Sequence, residues 1–175
     1  MRKRPALPPR TRNDGGNVLL EFALVAPILL VLILNILDFT RLIWAQMQVE
    51  YSAQMGVQAA YKSCSTGILP AKTNCAALNN TVLTAIRSTS LGSAVALTSG
   101  YPTETYYCLS GTSLQSVGTY SAPPSPFDCT AVGNSAAKPG DYIGVNVSYA
   151  YTPTFAGLSL ASARTLTANS IERLN

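Results

Sequence analysis

The amino-acid sequence predicts an α+β fold, in which a long N-terminal helix carries a small antiparallel sheet on its C-terminal half. Three observations indicate this fold. Residues 18–37 are almost wholly apolar, helical spacing of apolar residues continues beyond them, and short strand-like segments fill the C-terminal part of the chain. Because a sheet with one apolar face needs a covering layer, the amphipathic part of the helix is the expected partner of the sheet.

The apolar stretch 18–37 has the length of a membrane-spanning helix, since about 20 residues cross the roughly 30 Å hydrocarbon core of a bilayer. It is interrupted by Glu21, Pro27 and Asn35, and Asp38 and Arg41 close it. A proline within a span removes a helical hydrogen bond, so Pro27 is expected either to kink the helix or to be tolerated there. The basic residues that precede the stretch predict a cytoplasmic N-terminus and an exported C-terminal part.

The net charge of +4 lies before the apolar stretch. Residues 1–16 contain five basic residues and one acidic residue, and the rest of the chain has seven of each. Nucleic-acid binding requires a clustered basic face, and residues 17–175 offer only scattered basic side chains. The basic charge therefore indicates membrane topology, and no nucleic-acid partner is expected.

The helix is expected to continue past the membrane surface, from about Asn17 to Lys62, a length of about 70 Å at 1.5 Å per residue. The predicted organisation is a basic leader (1–16), a transmembrane helix (17–38), its amphipathic continuation (39–63) and an exported domain (64–175). In the continuation, apolar residues recur at helical spacing, and we expect them to form the stripe on which the sheet packs. These residues are Phe39, Leu42, Ile43, Met47, Tyr51 and Met55.

Shorter elements are predicted in the exported part. A second helix is expected over residues 75–88, and short strands over 94–97 and 105–108. Residues 110–140, which are rich in Pro, Gly and Ser, indicate a long irregular loop. Residues 142–151 alternate between apolar and small or polar side chains and predict the clearest strand. Residues 160–174 are predicted to form a strand that pairs with it.

Four cysteines lie beyond the apolar stretch, on the predicted exported side: Cys64, Cys75, Cys108 and Cys129. An even number of cysteines in an exported region indicates disulfides. The chain has no histidine and no Cys-x-x-Cys spacing, so a zinc site is not expected. Three pairings are possible, and we prefer Cys64–Cys75 with Cys108–Cys129 because each closes a short loop. Each bridge would stabilise the small domain by about 2–4 kcal/mol.

The sequence offers little material for catalysis. Without histidine there is no Ser-His or Cys-His couple and no imidazole ligand for a metal. The exported acidic residues are far apart in the sequence and no motif pairs them, and the Gly15-Gly16 pair lacks the rest of a phosphate-binding loop. We therefore predict a protein that is not an enzyme and that needs no metal or other cofactor.

A glycine and a carboxylate flank the start of the apolar stretch. Glu21 lies five residues after Gly16, and an ionised side chain in hydrocarbon costs roughly 3 kcal/mol unless it finds a partner. One interpretation is an interfacial glutamate favoured by the helix dipole. The interpretation we favour is cleavage between Gly16 and Asn17, which would give Asn17 a free ammonium. Glu21 would then pair with the ammonium at Asn17 of a neighbouring subunit and fix the stagger between helices.

The residues around this junction resemble a known family. The segment GNVLLEFALVAPILL, residues 16–30, is similar to the opening of TadE-like pseudopilins in its glycine, its glutamate and its proline. The segment DFTR, residues 38–41, also resembles the family's end-of-anchor pattern, and the similarity covers about residues 15–45. Leu20 stands where valine is commoner in the family, a change that preserves the apolar character. A TadF-like subtype is the alternative within the family.

The resemblance implies a pilin-like fold and a minor pseudopilin role in the tight-adherence (Tad) apparatus, which builds thin Flp-type adhesive pili. It implies processing after Gly16 by a prepilin peptidase. The implied partners are other pseudopilins, the Flp-type major pilin, inner-membrane platform proteins and the lipid bilayer. The implied location is the bacterial inner membrane, with one span and a periplasmic or extracellular C-terminal domain.

Two other functions are compatible with parts of the sequence. A membrane-anchored periplasmic or cell-surface binding module would keep its leader and could present tyrosines to a partner. An ordinary secreted protein would lose the entire span, but Glu21 interrupts the apolar region of such a signal and residues 42–45 do not form a clean cleavage site. The candidate tyrosines for a binding surface are Tyr101, Tyr106, Tyr107 and Tyr120.

Overall fold

A computed structural model describes residues 15–64 and 69–174, and the side chains of residues 15–17 are not part of that description. The predicted basic leader therefore lies outside the described residues, except for Gly15 and Gly16. The first element, helix α1, spans Gly15–Cys64 without interruption and has 50 residues, which corresponds to about 75 Å. The prediction of one helix that extends well beyond the apolar stretch is confirmed.

Two short helices follow α1. Helix α2 spans Ala71–Asn74 and helix α3 spans Leu78–Ile86. Helix α3 is shorter than the predicted 75–88 segment, and it buries Leu78, Val82 and Ile86, which recur every four residues on one face. This face packs against α1. Single turns of 3₁₀ helix form at Gly92–Ala94 and Thr130–Val132.

The remaining elements form one antiparallel sheet of five strands. They are β1 (Ala96–Leu97), β2 (Thr103–Ser110), β3 (Ser113–Thr119), β4 (Gly140–Tyr151) and β5 (Arg164–Arg173). Strand β4 is central, because β5 pairs along one of its edges while β2 and β1 share the other edge. Strand β3 pairs with β2 and extends the sheet outward. The α+β prediction is thus confirmed, including the C-terminal strand that pairs with β4.

One part of the sequence prediction is wrong in this region. Residues 113–119, which were expected to belong to an irregular loop, form strand β3. Its first four side chains are exposed and mostly polar, so the strand shows no apolar alternation. It forms because β2 offers a free edge and a tight turn at Gly111, where φ is +62°, brings the chain back. The later part of the segment, up to Pro139, contains no strand apart from isolated bridges.

Helix α1 packs on the sheet through small residues rather than through the predicted stripe. Strands β4 and β5 and helix α3 contact one face of α1. The expected contact residues Phe39, Ile43, Met47 and Tyr51 are instead 43–61% exposed, although Leu42 is buried. Small side chains let the sheet approach the helix axis closely, which leaves the larger side chains on the opposite face. The buried face of α1 consists of Leu42, Ala45, Val49, Ser52, Ala53, Gly56, Val57, Ala60 and Cys64.

Candidate functional site

The first part of α1 projects away from the sheet. Apart from the half-buried Ala26, every described side chain from Val18 to Ile33 is exposed, and Phe22, for example, is 67% exposed. Among the described residues, α1 is the one helix long and apolar enough to cross a membrane. An exposed apolar surface this large is unstable in water, so lipid or another protein must cover it. This part of α1 fits a single-pass membrane anchor.

Glu21 lies on this bare part of the helix and is exposed there. Apolar side chains surround it along the chain, and Phe22 and Leu24 are each about two-thirds exposed. Gly16 and Asn17 belong to the first turn of α1, so Asn17 and Glu21 are one turn apart on the same face. The geometry therefore presents the Glu21 carboxylate outward, where a neighbouring chain can approach it.

Pro27 lies within α1, and the helix continues through it. A proline inside a helix removes one backbone hydrogen bond. The weakened turn lies between Glu21 and the part of α1 that contacts the sheet. The kink expected at Pro27 stays a prediction.

Asn35 ties the loop between β4 and β5 (residues 152–163, the β4–β5 loop) to the end of the apolar stretch. Its side-chain amide donates hydrogen bonds to the Leu158 carbonyl at 3.1 Å and to the Val31 carbonyl at 2.8 Å. Its side-chain oxygen accepts a hydrogen bond from the Leu160 N–H at 2.7 Å. Asn35 is only 8% exposed. The polar residue that interrupts the apolar sequence is therefore a structural tie.

Asp38 holds the same loop one turn further along α1. Its carboxylate is fully buried and accepts hydrogen bonds from the backbone N–H groups of Thr154, at 3.0 Å, and Phe155, at 3.3 Å. The Tyr151 hydroxyl donates a 2.8 Å hydrogen bond to the Asp38 carbonyl. Burial raises the pKa of Tyr151, with the Asp38 charge contributing, so this hydroxyl remains a donor. We call Asn35 and Asp38 together the loop clamp.

A second exposed surface lies on the part of α1 that carries the sheet. Phe39, Ile43, Met47 and Tyr51 recur every four residues and are 43%, 60%, 61% and 51% exposed, respectively. We call them the outer stripe. The stripe continues the apolar surface of the anchor for a further three turns beyond the clamp. The stripe lies beyond Leu37, where the apolar stretch ends, so a protein partner suits it better than lipid.

Residues 16–58, about a quarter of the chain, match the family model described as TadE-like protein. The chain carries a TadE-like segment. No curated protein and no solved structure was found to match the chain. The TadE-like family is a family of pilus structural and assembly proteins, and the match indicates involvement in a Tad pilus system with partners from that system.

The TadE-like segment contains both the bare helix and the residues that bind the sheet to it. It includes Glu21, Pro27, the loop clamp and the outer stripe, and it ends at Gln58, within α1. The sheet lies outside the matched range. The family match therefore concerns the anchor and its junction with the domain, while the shape of the domain itself is known from the structure alone.

Beyond the TadE-like segment, two disulfides hold the domain together. Cys64, the last residue of α1, is bonded to Cys75, and Cys108 on β2 is bonded to Cys129. The first disulfide connects the end of α1 to the chain between α2 and α3. The second connects the sheet to the long segment that precedes β4. All four cysteines are thus used in disulfides, as expected for an exported domain.

Two of the tyrosines considered for a binding surface pack against other rings of the fold. Tyr106 packs edge-on against Phe127, with ring centroids 5.2 Å apart, and Tyr107 packs edge-on against Tyr142 at 5.3 Å. Tyr120 is 37% exposed. Edge-to-face contacts of this kind stabilise the domain. Two of these tyrosines therefore have packing partners within the fold.

Two acidic residues that are distant in the sequence meet inside the sheet. Glu104 on β2 and Asp141 on β4 are 4% and 2% exposed. The Glu104 carboxylate accepts hydrogen bonds from the N–H groups of Ala71 and Lys72, both at 2.8 Å. Burial and the nearby Glu104 raise the pKa of Asp141 to about 7, and the Asp141 side chain is hydrogen-bonded to Glu104. The prediction that the exported acidic residues do not pair is therefore wrong for Glu104 and Asp141.

The acidic pair has the geometry of a structural element. Glu104 holds the short helix α2 against β2 by accepting hydrogen bonds from the two N–H groups at the start of that helix. Within residues 15–64 and 69–174, no group of three or more His, Cys, Asp or Glu side chains is arranged to hold a metal ion. Sequence reasoning missed the pair because the two residues belong to different strands, and antiparallel pairing of Tyr106 with Asp141 alone brings them close.

Proposed function

We propose that this protein is a minor pilin-like subunit, a pseudopilin, in the assembly of Tad/Flp-type adhesive pili. The observation that carries the proposal is the TadE-like segment, which begins at Gly16 and contains Glu21 on a bare apolar helix. The proposed organisation is a leader (1–16), a transmembrane helix (17–38), its continuation (39–63) and a periplasmic or extracellular domain (64–175). The protein would reside in the bacterial inner membrane with its N-terminus in the cytoplasm.

Processing is the first step of the proposed function. A prepilin peptidase would cut between Gly16 and Asn17 and release the basic leader. The new ammonium of Asn17 would remain at the membrane, next to the carboxylate of Glu21. Two opposite charges in a low-dielectric medium stabilise each other, whereas either alone is costly.

Assembly would use the two exposed surfaces of α1. Glu21 of one subunit would pair with the ammonium of a neighbour, and that neighbour would be another pseudopilin or the Flp-type major pilin. The outer stripe supports this role because its four large apolar side chains are 43–61% exposed above the membrane. Helices that pack there would exchange lipid contacts for protein contacts, and inner-membrane platform proteins would drive the exchange.

Processing can be tested by N-terminal sequencing and intact mass of the membrane-extracted protein, from cells with and without the prepilin peptidase. We expect a mature chain that begins at Asn17 only when the peptidase is present. Gly16→Leu is expected to block cleavage, because the resemblance requires glycine before the cut. Gly15→Leu is the matched control and should still be cleaved. An intact leader in both strains would contradict the proposal and favour the membrane-anchored binding module.

The charge pair can be tested separately with Glu21→Gln. We expect this variant to be processed normally but to be lost at least tenfold from the sheared pilus fraction, measured by immunoblot, because the buried ammonium loses its partner. Glu50→Gln removes an exposed carboxylate from the sheet-bearing part of α1 and should leave incorporation unchanged. Equal incorporation of the Glu21→Gln variant and the native chain would show that Glu21 is an interfacial residue without a pairing role.

A further inference from the structure

We propose that the β4–β5 loop is a second membrane contact, in which Leu158 and Leu160 enter the lipid interface beside the spanning helix. This inference rests on membrane anchorage by α1. It does not depend on leader processing or on pilus assembly.

The loop clamp sets the height of the loop relative to the bilayer. Leu158 and Leu160 are hydrogen-bonded through their backbones to Asn35. Asn35 lies two residues before Leu37, the end of the apolar stretch, which is a distance of about 3 Å along the helix. When residues 18–37 span the hydrocarbon core, the loop is therefore at its boundary with the headgroups.

The two leucines are exposed at this height. Leu158 is 54% exposed and Leu160 is 83% exposed, the largest exposed fraction among the exposed large apolar side chains of the described residues. Exposure of two leucines to water is unfavourable, because apolar surface is stabilised by its removal from water. At the lipid boundary the same side chains are removed from water, which stabilises them.

Backbone groups of the loop around the two leucines are hydrogen-bonded within the protein, as a low-dielectric surrounding requires. The N–H groups of Leu158 and Ser159 both donate to the Phe155 carbonyl at 3.0 Å. The Leu158 carbonyl and the Leu160 N–H are bonded to Asn35. Backbone groups that enter lipid must be satisfied internally. The stretch that carries the two leucines meets this requirement at these four groups.

Cationic side chains lie just above the leucines. Arg41 is exposed, its guanidinium donates to the Thr154 hydroxyl, and it is four residues beyond Leu37, about 6 Å along the helix. Arg164 is exposed and begins β5, opposite Tyr151 in the β4–β5 pairing and next to the loop. The headgroup layer is about 5–7 Å thick on each side of the hydrocarbon core. Arg41 is therefore at the level of lipid phosphates.

The experiment uses the full chain reconstituted in vesicles of phosphatidylcholine and phosphatidylglycerol. Leu158→Cys and Leu160→Cys are each labelled with the environment-sensitive fluorophore NBD, since the four native cysteines are in disulfides. Quenching is measured with phosphatidylcholine that carries a nitroxide near the headgroup. We expect quenching at both positions to be several-fold stronger than at Leu109→Cys. Leu109 is 62% exposed and lies past the Tyr107–Gly140 pair, at the end of β4 that is about 36 Å from Tyr151.

Ile33→Cys, at an exposed position of the spanning helix, reports on the anchor itself. If Ile33→Cys is quenched while the two loop positions match Leu109→Cys, the proposal is wrong and the anchor stands. Loop labels that are shielded from water but not quenched by lipid would indicate a second copy of the chain on the loop and would also overturn it. Absence of quenching at Ile33→Cys would refute the anchor and the loop contact together.

Discussion

Gly56→Val is expected to destabilise the protein by about 3 kcal/mol, because it places a branched side chain where α1 meets α3 and β4. A Cβ atom at Gly56 would lie 2.9 Å from Cγ2 of Ile86 and 3.0 Å from Cγ1 of Val145. Both neighbours are fully buried and β-branched, so neither can rotate away at low cost. The helix would have to move off the sheet. The expected fall in Tm is on the order of 10 °C, measured by circular dichroism of the full chain in detergent.

Gln58→Val is the matched control for this substitution. It introduces the same side chain into the same helix, two residues away, at an exposed position. Its free energy of unfolding should change by less than about 1 kcal/mol, the size of the helix-propensity difference for valine, so its Tm should change little. Equal melting of the Gly56→Val variant and this control would show that α1 is not closely packed on the sheet at Gly56.

Asp141→Asn is expected to stabilise the protein at pH 8 by a few kcal/mol and to have little effect at pH 4. The pKa of Asp141 is raised to about 7 in the folded state, whereas an aspartate in an unfolded chain titrates near 3.9. Between about pH 4 and pH 7, Asp141 is therefore protonated in the folded state and ionised in the unfolded state. Stability from this group is therefore complete below about pH 4 and is lost as the pH rises toward 7. Asparagine stays neutral and removes this slope.

The measurement is the midpoint of chemical unfolding of the full chain from pH 4 to pH 8. Asp128→Asn is the control with the opposite sign. Hydrogen bonds from the Thr130 side chain and the Thr130 N–H lower the pKa of Asp128, so its contribution is present above the unfolded value and is lost on acidification. This control should therefore lower stability at neutral pH and not at low pH. An Asp141→Asn variant with the same pH dependence as the native chain would contradict the raised pKa of Asp141 in the folded state.

Elements with a strong local signal could be predicted from the sequence. The apolar stretch 18–37 and the helical spacing beyond it indicated α1, and the alternation from Ile143 to Tyr151 indicated β4. Strand β5 was predicted because it could pair with β4. Strand β3 was missed because its exposed side chains, such as Gln115, carry no alternation, so the signal for it lies in the free edge of β2.

The face of α1 that contacts the sheet could not be chosen correctly by hydrophobicity. Both faces are apolar in this helix, with Met47 and Tyr51 on one and Val49 and Ala53 on the other. Hydrophobic burial favours the larger side chains, but close packing of a helix on a sheet favours the smaller ones. Covering of the outer stripe by another chain would remove this conflict. A membrane or assembly protein can therefore mislead a prediction that assumes one buried face.

The polar contacts of the junction were also beyond local reasoning. Asn35 and Asp38 were visible only as interruptions of an apolar sequence, and their partners at Thr154 and Leu160 are more than a hundred residues away. Glu104 and Asp141 likewise meet only through strand pairing. The sequence indicated the need for a partner only for Glu21, and nothing in it identified the β4–β5 loop as the partner of Asn35 and Asp38.

The loop clamp fixes the orientation of the domain around the axis of α1. Because Asn35 and Asp38 are hydrogen-bonded to the β4–β5 loop, the domain cannot swivel about the helix axis. Glu21 is 14 residues before Asn35, about 21 Å along the axis and within about 40° of the same azimuth. A bend at Pro27 would tilt the first part of the helix but would leave the angle between Glu21 and Asn35 around the helix axis nearly unchanged. The direction in which a subunit presents its carboxylate therefore dictates the direction in which its sheet faces, so neighbours aligned by one are also aligned by the other.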